Sequence, residues 1–181
     1  MLLRTETSCL LIIDIQEKLL PAMQMPEQLV THCRWLIDLA EALEIPTLVS
    51  EQYRRGLGAT VPELKNRIPE TAFMEKNHFS CLSSTACKQR IERIERSQVV
   101  VAGIETHICV LQTALELIMM GKEVFVVVDA ISSRRMEDKE LAILRMREAG
   151  VKMVNREMVF FEWLGQAGTQ TFKQLRKRFL E

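Results

Sequence analysis

An excess of charge of either sign is missing from this sequence, in which 24 Lys and Arg residues balance 24 Asp and Glu residues. The electrostatic footprint of a nucleic-acid or polyanion binder is therefore absent, and a small, roughly neutral ligand fits better. Long apolar runs are missing too. Within MLLRTETSCLLIIDI the hydrophobic stretch reaches Asp14 after about five residues, too short for a signal-peptide core or a membrane span. A cytoplasmic protein with no membrane partner is expected. The cysteines Cys9, Cys33, Cys81, Cys87 and Cys109 are odd in number and form no CxxC pair, which argues against a disulfide framework or a zinc ribbon and for reduced thiols. No internal repeat, low-complexity tract or linker divides the chain. Residues 1–181 are read as one domain, with enough apolar content for a sizeable core.

What is present is an alternation of short β-branched runs with longer amphipathic ones. That pattern predicts an α/β fold with a mainly parallel sheet. Six strands are expected: Cys9–Asp14, Pro46–Ser50, Thr71–Glu75, Val99–Gly103, Glu123–Asp129 and Val151–Val154. Helices are expected over Glu27–Leu43, Ser83–Arg96, Thr106–Met120 and from the Ser132/Ser133 pair to Ala149, with a helical tail beyond. Glu51 to Gly58 reads as an exposed loop. The apolar tail residues Met158, Phe160, Phe161 and Trp163 either cover a neighbouring subunit or pack on their own sheet.

In open parallel sheets the ligand lies beyond the carboxyl ends of the strands, so polar residues that end strands matter most. Asp14 ends the first strand, Lys76 follows the third, and Cys109 opens the helix after the fourth. A helix N-terminus carries roughly +0.5 charge, and cysteines so placed reach pKa values of about 3.5–7.5, which makes Cys109 the best nucleophile candidate. Asp14 then serves as proton acceptor and Lys76 as its electrostatic partner. Backbone N–H groups at the helix start are placed to receive a developing oxyanion.

The segments LLIIDIQEKL around Asp14, MEKNHFSC around Lys76 and VVVAGIETHICVLQTALELIMMGKEVFVVVDAISSR around Cys109 resemble the isochorismatase-like cysteine hydrolases, in particular their YcaC-like and isochorismatase domain-containing branch. The likeness runs along nearly the whole chain. It implies a three-layer, Rossmann-like α/β/α fold and a triad of Asp14, Lys76 and Cys109. It also implies a cis peptide between Ile104 and Glu105, with the Glu105 and Cys109 N–H groups as oxyanion donors, and a homo-oligomer. Nicotinamidases of this superfamily bind a divalent metal through an Asp-x-His after strand two. Here that place reads Ser50-Glu51-Gln52-Tyr53-Arg54, and no histidine follows until His78, so no catalytic metal and no cofactor are expected. Isochorismatase proper lacks the cysteine and cleaves a vinyl ether, whereas this chain keeps Cys109, so amide-type chemistry on a non-peptide C–N bond is the expectation.

Gln16, Glu51, Gln52, Tyr53 and Phe79 are the candidates for substrate contact. His107 shares a turn with Cys109 and need not face it. Asp129 reads as a cap for the turn that follows it, and Cys9, Cys33 and Cys81 as packing residues. Cys87 and Arg93 have the C-x5-R spacing of cysteine phosphatases, but the intervening KQRIE is helical and lacks the glycines of a phosphate cradle. Two other readings of the same fold stay open: a non-catalytic oligomeric scaffold, and a redox-responsive thiol protein using Cys109.

Overall fold

Successive residues of a strand point to opposite faces of its sheet, and in this chain both faces are apolar. From the strand β1 (Ser8–Ile13), Leu10 and Ile12 enter one core, while Cys9, Leu11 and Ile13 enter another. Such a strand is stable only with helices on both sides of the sheet. The computed structural model, which describes residues 1–181, has that architecture. The remaining strands are β2 (Thr47–Gln52), β3 (Phe73–Lys76), β4 (Gln98–Gly103), β5 (Glu123–Ile131) and β6 (Lys152–Val154). All pair in parallel in the order β3-β2-β1-β4-β5-β6.

The long helix α1 (Pro26–Ala42) covers one face with Leu29, Cys33, Leu36 and Leu39. Two one-turn helices, α2 (Arg54–Leu57) and α3 (Pro62–Lys65), follow β2. The other face is covered by α4 (Thr85–Arg93), α5 (Leu111–Met119) and α6 (Met136–Glu148). The tail forms α7 (Arg156–Leu164) and α8 (Gln170–Phe179), which return to the α1 side. The fold is therefore the expected three-layer α/β/α sandwich with a six-stranded sheet.

Several boundaries differ for local reasons. The expected loop after β2 loses Glu51 and Gln52 to the strand and folds Arg54–Leu57 into α2. The Ser132/Ser133 pair does not cap α6, which starts at Met136; Ser132 Oγ donates instead to the Gln24 carbonyl at 2.8 Å. Part of the tail packs on its own sheet: Val159, Phe160 and Trp163 are buried, and Trp163 Nε1 donates to Ser8 Oγ at 3.0 Å, while Met158 and Phe161 stay exposed. Asp129 lies within β5 and does not cap the turn after it; it accepts from Arg156 N at the start of α7 at 3.0 Å and pairs with Arg156 Nε at 2.8 Å.

The chain runs outward from β1 through β2 to β3, then crosses back to place β4 on the other side of β1. The direction of winding thus reverses between β1 and β4, and a crevice beyond their carboxyl ends is the ligand position of such sheets. Gly103 makes the close approach possible. Its φ is +125°, and a Cβ there would lie 2.1 Å from the Ile13 carbonyl oxygen.

Candidate active site at the strand ends

Strand register brings the polar residues level. Ile13 is paired with both Ser50 and Gly103, and Gln52 with Lys76. Asp14 leaves β1 in the left-handed region (φ 54°), which Asp tolerates better than most residues, and its N–H donates to the Ser50 carbonyl at 3.1 Å. Its two oxygens are then divided: Oδ1 accepts from Ser50 Oγ at 2.7 Å and Oδ2 from Lys76 Nζ at 2.7 Å. Both side chains of this ion pair are fully buried. Burial by itself pulls the Lys76 ammonium below its ordinary pKa. The Asp14 charge beside it, with ionisable Cys109 and Cys81 nearby and the hydrogen bond to Asp14, outweighs that and holds it above.

Cys109 sits in a π-helical turn, Thr106–Val110, that leads into α5. Such turns concentrate at functional sites. The thiol is not activated in the way the helix-start argument expects. Burial first, and the Asp14 carboxylate second, push its pKa above the ordinary thiol value, and Lys76 opposes them only in part. In the turn, the Val110 and Leu111 N–H groups close on the Glu105 and Thr106 carbonyls. The resting centre is a neutral thiol near a carboxylate that is held by an ammonium.

The Ile104–Glu105 peptide is cis. The Glu105 N–H finds no acceptor in the protein, while the Glu105 carbonyl accepts from Ile108 N at 3.0 Å and Val110 N at 3.2 Å. Glu105 Oε1 accepts from Arg134 at 2.9 Å, and its Oε2 is buried without a partner. His107 turns away from the sulfur, with Nδ1 at 2.9 Å from Ser133 Oγ and Nε2 at 4.0 Å from Asp138.

The expected substrate contacts divide into two groups. Gln16 and Glu51 serve the frame instead. Gln16 is fully buried, accepts from Gln52 N at 2.7 Å, and donates to the Gln52 and Gly58 carbonyls at 3.0 and 2.7 Å. Glu51 accepts from Thr60 N and Oγ1 at 2.7 and 2.9 Å and lies 3.4 Å from Arg54 Nε. Tyr53 and Phe79 are about half exposed on the loops just after β2 and β3. Gln52 also faces inward, with its Oε1 accepting from Lys76 Nζ at 2.7 Å.

Sequence reasoning misses one residue here: Ser50 ends a strand, and its hydroxyl also holds Asp14. Cys81 packs in the core as expected and also lies near Asp14, Lys76 and Ser50, and burial followed by the Asp14 charge pushes its thiol up to about 12. The signal for Ser50 was available, since it is a polar residue one strand over from Asp14 on the same rim. Cys81 had none, because its neighbours are distant in sequence.

Asp14, Lys76 and Cys109 line none of the larger surface clefts, which measure about 380 Å³ beside Leu82, Glu116 and Met119, about 290 Å³ beside Trp35 and Arg156, and about 280 Å³ beside Val30 and Arg34; two smaller clefts also lie apart from them. One of about 140 Å³ lies between α1 and the β5–α6 connection, lined by residues including His32, Asp129 and Lys139. Another, of about 160 Å³, lies beside His107, Leu111 and Asp138. Cys109 keeps 6% of its surface exposed, so access to the thiol is narrow. The residues at the end of β2 do not suit the nicotinamidase type of metal site: Glu51 is committed to Thr60, Gln52 to Lys76, and no imidazole stands with them.

The family model for the isochorismatase domain matches residues 8–158. Isochorismatase domain-containing protein 2A of Mus musculus is 36% identical over 172 residues, which cover 95% of this chain and 82% of that protein. Among solved structures, one described as the MAR1 ribonuclease of Caenorhabditis elegans is 35% identical, with a TM-score of 0.92 over 100% of this chain and 93% of its own. The YcaC gene product of Escherichia coli, described as an octameric hydrolase of unknown specificity, is similar in fold at 24% identity, with a TM-score of 0.92 over 99% of this chain and 91% of its own.

Proposed function

We propose, because the chain belongs to the isochorismatase family of hydrolase-fold proteins, that it is a cysteine-dependent hydrolase of a small amide-like substrate with a non-peptide C–N bond. The observation that carries this reading is the buried Asp14–Lys76 ion pair set against the Cys109 thiol at the reversal of the sheet. Cys109 Sγ attacks the carbonyl carbon as its proton passes to Asp14. A neutral thiol beside a carboxylate suits this concerted transfer, because no thiolate has to be kept in a buried site. The oxyanion that forms takes hydrogen bonds from the N–H groups of Glu105 and Cys109, donors worth about 2.7–4 kcal/mol each in acyl-transfer enzymes. Collapse breaks the C–N bond, and Asp14 returns its proton to the departing nitrogen. A thioester on Cys109 remains. Water attacks it, giving a proton to Asp14; the C–S bond breaks and Asp14 reprotonates the sulfur. The net reaction consumes one water and releases an acid and an amine or ammonia. Lys76 stays protonated throughout and holds the carboxylate in place.

The narrow approach to Cys109 favours a small substrate, and Tyr53 and Phe79, half exposed on the loops after β2 and β3, are the side chains proposed to contact it. Assembly into a homo-oligomer accompanies this reading. A panel of small amides, ureides and nitriles, followed by ammonia release, tests it. Cys109→Ala is expected to abolish turnover on any substrate found while the protein stays folded; full turnover by that variant would reject the covalent route. The description of the nematode relative makes phosphodiester cleavage the alternative. The even charge balance and the absence of an imidazole at the centre weigh against it. Cleavage of single-stranded RNA by the wild type and not by Cys109→Ala would move the assignment to that chemistry.

A further inference from the structure

Lys76 has three N–H donors, and two of them meet side-chain acceptors that bear on how its charge acts. One goes to Asp14 Oδ2 and a second to Gln52 Oε1, both at 2.7 Å. Gln52 lies directly opposite Lys76 in the register of β2 and β3. Its amide has one possible orientation, because Nε2 donates to the Asn77 carbonyl at 2.8 Å and so turns the oxygen toward the ammonium. Its own backbone is clamped on both sides by Gln16, through Gln52 N to Oε1 at 2.7 Å and Gln16 Nε2 to the Gln52 carbonyl at 3.0 Å. Four hydrogen bonds thus fix a neutral acceptor against a buried cation.

We infer that Gln52 is a positioning residue for the thiol chemistry: it anchors the Lys76 ammonium against Asp14 with an uncharged oxygen, so that the full positive charge remains available to the sulfur of Cys109. The inference rests on the cysteine-hydrolase reading. Its physical content is a charge count. The ionisable groups that act on Cys109 are Asp14, Lys76 and Cys81. With a neutral residue at position 52, the carboxylate and the ammonium cancel, and negative charge arriving on sulfur meets a neutral centre. A carboxylate at position 52 would share the ammonium and leave the centre negative before reaction. Gln52 was expected to touch substrate; buried and committed to Lys76 and Asn77, it acts through the lysine instead.

The test follows alkylation of Cys109 by iodoacetamide, read by mass spectrometry of the Cys109 peptide across neutral and alkaline pH, so that no substrate is needed. Gln52→Glu is expected to move the alkaline rise of the rate upward by about one pH unit, with reaction about tenfold slower at neutral pH, because it adds one negative charge to the Asp14–Lys76 pair. Gln52→Met removes the acceptor without adding charge. It is expected to slow alkylation several-fold with little movement of the profile, which separates charge from anchoring. A folded Gln52→Glu protein with the wild-type profile, alongside a Lys76→Met protein whose profile has moved, would overturn the role of Gln52 and leave the triad standing. An unmoved profile in Lys76→Met would reject the triad and this inference with it. If Gln52→Glu shows no cooperative melt, Gln52→Met decides, and alkylation at the wild-type rate rejects the inference.

Discussion

Replacing Lys76 with Met keeps roughly the volume of a buried side chain and removes its charge. Both partners of the Asp14–Lys76 pair are fully buried and 2.7 Å apart, so the variant leaves a carboxylate in the interior with only the Ser50 hydroxyl to serve it. Taking one member from a buried pair typically costs about 3–5 kcal/mol, because the remaining charge is left without compensation. For a chain of this size, at about 2–4 °C per kcal/mol, the melting temperature should fall by about 10 °C. Asp14→Asn combined with Lys76→Met removes both charges and should recover much of the stability, since a buried pair replaced by neutral groups is often close to neutral in effect. Differential scanning calorimetry of the two single variants and the double variant completes the cycle. Equal melting temperatures for the wild type and Lys76→Met, or a double variant no better than the sum of the singles, would refute the claim that this pair is a tightly coupled buried unit.

Alkaline pH should destabilise the protein through its thiols. Burial raises Cys9 to about 11 and Cys33 and Cys81 to about 12. A raised folded-state value contributes stability that is complete below the unfolded thiol value and lost as pH rises through the folded one. Urea midpoints should therefore hold to about pH 8.5, the ordinary thiol range, and fall beyond it; a flat profile into strong alkali would contradict the burial of these thiols. Gly103→Ala should lower stability by about 3 kcal/mol or more, because its Cβ meets the Ile13 carbonyl at a backbone angle that alanine avoids. Equilibrium urea unfolding reads it, and a change below about 1 kcal/mol would mean that β1 and β4 separate easily. Sedimentation velocity at micromolar concentration should show an assembly larger than the 20.9 kDa chain; a single monomer species would remove the homo-oligomer.

The layers were legible because strands buried on two faces read as continuous β-branched runs, as in VVVAG and EVFVVVD, and intervening amphipathic stretches of helical length require crossovers. Asp14 and Lys76 could be picked out because a polar residue at the end of such a run stands at the sheet edge where ligands bind. Less could be read where contacts between distant segments set the outcome. Ser132 and Ser133 look like caps in isolation, but the Gln24 carbonyl and His107 claim their hydroxyls. Gln16 looks like a free polar side chain near the site, but the end of β2 and the α2 turn take all of its amide.

Residue order alone determined the α/β/α layering, the six strands and which strand ends carry a carboxylate, an amine and a thiol, because period and polarity are local properties of the chain. Tertiary structure alone decided the protonation tendency of Cys109, the burial of Asp14 with Lys76, and the orientation of the Gln52 amide. Electrostatic free energy depends on distance and on exclusion of water, and both arise only when segments far apart in sequence are packed together.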